Sequence, residues 1–345
     1  MTCLSRVRDE KHWYRDHDFL ETVDGWLFGV VSDTHPPGRV LAYPKYVPGE
    51  GVWSRGGVTY RRILTAYTTR ELAQALEMIR RLKPQYIYHD PVTDEDFTYI
   101  PVENIRKHYR CDERLQKILR KPSNKLEELC AKLVERISAG SGVDGMFFGV
   151  SGSLLLQLHN PAADIDLIVY GGENFRKAVN TSRQTQTSQD VKQTQNMLVK
   201  NYMTKYPITA EDAEKLAARC WTRGVFEGVF YSLHAVRLSE EITAEYGTRL
   251  YKTVGVRKTT LRIVDASEGV FTPAVYRVED MAGEVETLLC YDTTFASLFR
   301  EGDVVEAVGK LEKVEDLVRG VTYYSLLVGS VKTANIEYVK LLKTL

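Results

Sequence analysis

Residues 146–170 read MFFGVSGSLLLQLHNPAADIDLIVY, and the reading of the chain follows from how this stretch divides. The apolar run at 146–150 suits a buried strand. Gly152 and Ser153 permit a tight turn that opens a helix over SLLLQLH, and Asn160 with Pro161 stops that helix. The segment ADIDLIVYGG then forms a second strand, in which Asp164 and Asp166 are separated by Ile165. Side chains alternate along a strand, so both carboxylates share one face while Ile165 and Leu167 take the other. Like charges at that spacing repel, and both stay ionised only where something positive stands between them. A hard divalent cation with oxygen ligands, Mg²⁺ or Mn²⁺, meets that need. The Gly-Ser turn at a helix start offers free backbone N–H groups and the positive end of the helix dipole, a cradle for phosphate. Metal carboxylates opposite a phosphate-binding turn are the parts that phosphoryl or nucleotidyl transfer needs. The plain alternative, a surface strand with two solvated aspartates, sits badly with the apolar LIVY that follows them.

The strand–turn–helix–strand order resembles the DNA polymerase β-type nucleotidyltransferase superfamily. Its motif is a hydrophobic residue, Gly, then Gly or Ser, a spacer, and Asp-hydrophobic-Asp-hydrophobic. Here the match is Gly152-Ser153, ten intervening residues, and Asp164-Ile165-Asp166-Leu167. The resemblance implies a metal ion held by Asp164 and Asp166, bridging the triphosphate of an NTP, with Gly152 and Ser153 on its phosphates. It also implies a third carboxylate on a neighbouring strand. Within GVFEGVFYSLHAVRL at 224–238, that position falls on Ser232. His234 lies two residues on and on the same face, and Glu227 is the nearest acid. Three readings stand: His234 substitutes as ligand or base, Glu227 reaches in, or the site binds nucleotide and metal without efficient turnover. An ordinary half-buried strand histidine is the plain reading of His234.

Outward from this stretch, residues 112–138 read as helix, with apolar positions about 3.6 apart, and AGSGVDG at 139–145 breaks it. Upstream, WLFGVV at 26–31 and VLAYPKYV at 40–47 are strand-like, with the turn signal HPPG between them. A Gly-marked turn at 55–57 leads into VTYRRILTAY. TTRELAQALEMIRRLKP carries a Thr-x-x-Glu cap and Pro84 past its end, and so forms a helix. The acidic, proline-bounded stretch 90–101 reads as a loop. Polar residues 180–196, rich in Gln, Thr and Ser, fit an exposed helix or a mobile lid.

From about residue 246, short alternating runs separated by Gly and Asp point to a small closed or partly closed barrel. FREGDVVEAVGKLEKV resembles the strand pattern of OB-fold domains. That resemblance implies a groove for RNA or other single-stranded nucleic acid, with Arg257, Lys258, Arg262, Tyr276 and Arg277 as candidates. A structural or dimerising barrel is the alternative, because Glu and Asp are frequent in the same strands. HPPGRVLAYPKYVP and FTPAVYRV extend the resemblance to an archaeal-type family of predicted nucleotidyltransferases with accessory domains on both sides.

Together these readings give an α+β multidomain chain. An N-terminal α/β accessory domain spans 1–111, a nucleotidyltransferase-like core of mixed sheet with helices spans 112–240, and an OB-like β-barrel spans 241–345. The expected function is metal-dependent transfer of a nucleoside monophosphate from an NTP to a hydroxyl of RNA, protein or a small molecule. The rival is a non-catalytic nucleic-acid-binding protein on a degenerate scaffold. Lys plus Arg and Asp plus Glu both number 46, so total charge gives no sign of nucleic-acid affinity, which depends on clustering. Five scattered cysteines without CxxC spacing argue against a disulfide framework or zinc ribbon. No signal-peptide pattern and no run of roughly 20 apolar residues is present. A cytoplasmic protein without a membrane partner is the expectation.

Overall fold

The computed structural model describes residues 13–158 and 163–344. Among them the chain is mixed α+β, with seven helices and three sheets. It forms two compact units that do not follow chain order. One holds the described residues up to Ile63 together with Ile100–Thr194 and Trp221–Thr243, and the other holds Leu64–Tyr99, Gln195–Cys220 and the chain from Ala244 onward. No described helix is long and apolar enough to cross a membrane.

In the first unit, strand Phe19–Thr22 lies antiparallel between Leu27–Val30 and Ile105–Tyr109. The long strand Arg39–Arg55 pairs with Leu27–Val30 and carries Val58–Arg62. A second sheet has the order Arg223–Phe226, Val229–Val236, Ile165–Tyr170, Phe148–Val150. Its central pair, Val229–Val236 with Ile165–Tyr170, is parallel and sets Ser232 opposite Asp166. A parallel pair needs a crossover, and helix Gly172–Thr185 in that crossover packs on both strands. Helix Lys125–Ser141 lies against it. Asn124 starts that helix by accepting from Glu127 N, and Leu126, Leu129, Leu133 and Ile137 bury one stripe of it.

The short helix Gly152–Leu156 is pinned from two directions. Leu155, Leu156 and Leu158 enter a core with Phe19, Leu27, Tyr46, Tyr60, Ile168, Tyr170 and Val236. Each such buried side chain contributes about 1.5–3 kcal/mol. Two arginines donate to carbonyls of this short helix. Arg114 Nε donates to Leu154 O at 3.2 Å and Arg55 Nη1 to Leu156 O at 3.0 Å. Arg114 is itself anchored on Glu127 and Arg55 on Glu21.

Several local expectations differ from the structure. The helix after Gly152 ends at Leu156, with Gln157 in the left-handed region. The Asn160–Pro161 stop lies outside the described residues. Residues 146–147 belong to a 3₁₀ turn capped by Asp144, which leaves Phe148–Val150 as the strand. The stretch read as a loop at 90–101 is half of a hairpin, Ile87–Asp90 with Glu95–Pro101. Its alternating FTYI outweighs the flanking prolines, and Tyr99 donates to Asp90 across it at 2.5 Å. The polar stretch at 180–196 is helical within Gly172–Thr185 and Ser188–Lys205.

In the second unit, helix Thr69–Leu82 begins at Thr68, which accepts from Glu71 N. The strands after residue 248 close a circuit: Arg249–Asp265, Ala274–Asp280, Val285–Cys290, Val321–Val328, Val304–Asp316 and back to Arg249–Asp265. The Val285–Cys290 and Val321–Val328 pair is parallel, the other pairs in the circuit antiparallel, and Tyr338–Lys343 adds to Val304–Asp316. Tyr276, expected on a binding surface, is buried in the core instead, and its hydroxyl donates to Phe295 O at 2.6 Å. Alternation along Ala274–Asp280 turns it inward with Ala274 and Val278. Arg257, Lys258 and Arg262 pair with Glu284, Glu306 and Glu279, which neutralises the face expected to attract phosphates.

Asp292 ties helix Ser188–Lys205 to this unit. Burial alone would raise its carboxyl pKa, but Lys205 Nζ at 2.8 Å, the Tyr206 hydroxyl at 2.7 Å and Thr294 N at 2.9 Å outweigh burial and hold it at about 2. Its unfolded value is about 3.9. The stabilisation is therefore complete above that value and is lost as pH falls through 2. Asp292→Asn is expected to lower unfolding free energy by about 2 kcal/mol at neutral pH. Denaturant midpoints should show the deficit shrinking towards pH 2, and a deficit constant with pH would contradict this account.

Candidate active site at the aspartate strand

Strand Ile165–Tyr170 begins just after Asp164, which stands exposed at its entrance. Ser151 N donates to Asp166 O at 2.8 Å, so the turn is tied to the aspartate's own backbone. Gly152 adopts φ +61°, and a Cβ added there would fall on Asp166 Oδ2 and stand 3.2 Å from its Cγ. Only glycine lets the carboxylate lie this close to the turn. Ser153 Oγ is buried there and makes no hydrogen bond. The helix that follows has five residues, too short for a sizeable macrodipole, so a phosphate here would be held by the turn's own donors.

On the other side of Asp166, Ser232 Oγ donates to Oδ1 at 2.7 Å. The hydroxyl's one proton is thereby used, so the 2.9 Å contact from Ser232 Oγ to His234 Nε2 requires His234 to donate. The structure thus brings Gly152, Ser153, Asp166, Ser232 and His234 together. Glu227 is not among them: it sits at the hairpin turn between Arg223–Phe226 and Val229–Val236, half exposed and facing Lys132 at 3.9 Å. Ser232 lies five positions further along the chain, roughly 16 Å away at the usual strand rise.

Charge repulsion from Asp166 is the first cause that raises the Asp164 carboxyl pKa, while Lys45 and Arg62 oppose the rise. Burial holds His234 well below the usual imidazole range, with His17, Arg223 and Lys45 adding to the effect.

His17 was not singled out from the sequence. Its ring lies 4.5 Å from that of His234, and its carbonyl accepts from Ser151 Oγ at 2.7 Å. Its backbone is left-handed, φ 67°, an uncommon state for a non-glycine residue. Burial lowers its imidazole to about 4, against the upward pull of Asp166. The Asp-His-Asp run at 16–18 was the available signal, hidden by the distance in sequence from the motif.

Asp166 lies beside a turn with an unsatisfied buried hydroxyl, and Asp164 precedes it by two residues at the exposed entrance of the strand. Among the described residues no group of three His, Cys, Asp or Glu side chains could hold a metal ion, so the donor set does not suit an all-protein cage.

No family model matches the chain, and no solved structure matches it. It is 30% identical over 337 residues to Uncharacterized protein MJ1086 of Methanocaldococcus jannaschii, a match spanning 95% of this chain and 98% of that one. The chain belongs to the same family as that archaeal protein.

Proposed function

We propose that the first unit is a metal-dependent nucleotidyltransferase that moves a nucleoside monophosphate from an NTP to a hydroxyl acceptor, releasing pyrophosphate. The observation that carries this reading is the Asp166 carboxylate lying against the Gly152 turn, where any larger residue would displace it. Asp164 and Asp166 would hold the divalent ion, which supplies neutralisation of the triphosphate and of charge developing at the reacting phosphorus. Gly152 and Ser153 would meet the phosphates, and the unpartnered Ser153 hydroxyl would donate to one of them. Rigid placement of the turn by Arg55 and Arg114 supports catalysis by positioning.

Because no group of three His, Cys, Asp or Glu side chains among the described residues could hold the ion, it needs phosphate oxygens to complete its shell. Mg²⁺ alone is expected to bind weakly and NTP to tighten it at least tenfold, measured by calorimetry with and without a non-hydrolysable NTP. Equal Mg²⁺ affinity in both titrations would count against a shared site.

The five-strand circuit of the second unit, with its one parallel pair, supports an OB-like barrel as a second module. The paired arginines and lysine on it give no support to a nucleic-acid groove.

The test is incubation with α-labelled NTPs, Mg²⁺ or Mn²⁺, and total RNA or, separately, total protein. Label transfer is expected. Ser232 in place of a carboxylate favours the rival, a binding protein without turnover. Nucleotide binding with no transfer to any acceptor would select the rival, and no nucleotide binding would defeat both.

A further inference from the structure

Transfer to a hydroxyl requires a group that takes its proton, and the residue aligned with Asp166 is a serine whose own proton is already donated. His234 does not fill the role at Nε2, because that nitrogen carries the proton it gives to Ser232. Glu227 is out of range. His17 remains, and its setting is unlike that of a packing residue. Its N donates to Val30 O at 3.2 Å, and its carbonyl accepts from Ser151 Oγ at 2.7 Å and Cys111 Sγ at 3.2 Å. Those three bonds hold a left-handed backbone that costs about 1–2 kcal/mol for an L-residue. Strain maintained in this way is a pointer to function.

The ring has two distinct edges. Nε2 is enclosed and faces Asp16 Oδ2 at 3.4 Å, and neither atom has a hydrogen-bond partner. The ring as a whole is 18% exposed, and with Nε2 enclosed that exposure falls on the rest of the ring. With Nε2 enclosed, Nδ1 is the ring nitrogen left to take a proton from a substrate.

We propose that His17, backed by Asp16, is the general base that accepts the proton of the acceptor hydroxyl. The inference rests on the nucleotidyltransferase reading. The hydroxyl oxygen attacks the α-phosphorus and forms the new O–P bond. The bond from that phosphorus to the oxygen bridging the β-phosphate breaks, and its electron pair leaves with pyrophosphate. The hydroxyl proton passes to His17 Nδ1, and Asp16, 3.4 Å from Nε2, faces the imidazolium that results.

The experiment uses His17→Gly, which suits the left-handed backbone and leaves a ring-sized space, in the label-transfer assay with the full chain. The expected result is a kcat about a hundredfold lower with KM for NTP unchanged, and partial recovery on adding imidazole. His17→Gln should show the same loss with no recovery. If the wild type transfers label and His17→Gly does so at the same rate, the inference is overturned while the nucleotidyltransferase reading stands. A raised KM without imidazole recovery overturns it as well, because it marks a binding role. If the wild type transfers nothing, the underlying reading fails first.

Discussion

Asp166→Asn is expected to lower label transfer by about a thousandfold, the rate equivalent of several kcal/mol of lost charge stabilisation. The substitution is nearly isosteric, and Ser232 keeps an oxygen to donate to. Stability should therefore change by less than about 1 kcal/mol. Asp166 is also the largest cause of the raised Asp164 carboxyl, so neutralising it should bring Asp164 back towards the ordinary carboxylate range. The site would then hold one carboxylate charge instead of two, and nucleotide-dependent Mg²⁺ binding should weaken in parallel. Calorimetry and the transfer assay on the same preparation decide the matter. A variant that transfers at the wild-type rate would remove Asp166 from the chemistry.

Gly152→Ala should be comparably severe by a different route. An L-residue at φ +61° carries about 1–2 kcal/mol of strain. Its Cβ would also fall on a carboxylate that Ser232 holds from the other side. Asp166 must then move by more than about 1 Å, and a misplacement of that size costs about a hundredfold in rate. A loss of several hundredfold in transfer is expected, with unfolding free energy lower by about 2–3 kcal/mol. Gly145→Ala serves as the control, since a Cβ there meets open space. If both variants behave like wild type, the close approach of turn and carboxylate has no functional weight.

The local geometry of the motif was legible because it is written in spacing. Gly152, Asp164 and Asp166 declare a turn and a strand face within a few residues. The neighbour of Asp166 was also within reach, because the Gly-marked hairpin before Ser232 sets the phase of its strand. Other features were not legible. His17 and Asp16 reach the site through a sheet more than a hundred residues upstream, and no periodicity connects them to it. Tyr276 was misjudged because a tyrosine among basic residues looks like a stacking platform, and only the register of its strand shows which way it points. The hairpin at residues 87–101 was missed because proline and acid composition outweighed a short alternation. For His17 and Tyr276 the deciding partners lie elsewhere in the chain, whereas those of the hairpin are local.

The arginine clasp on the short helix also bears on how this chain can be divided. Glu21 and Arg55 come from the opening sheet, Arg114 and Glu127 from the helices that follow, and all four converge on the carbonyls behind Gly152. A fragment starting near residue 112 would keep the motif and lose half of its brace, together with His17. The smallest portable version of the site is therefore not a contiguous stretch. It is three pieces, closing at Ile63, Thr194 and Thr243, and excising it would require relinking the chain across residues 64–99 and 195–220.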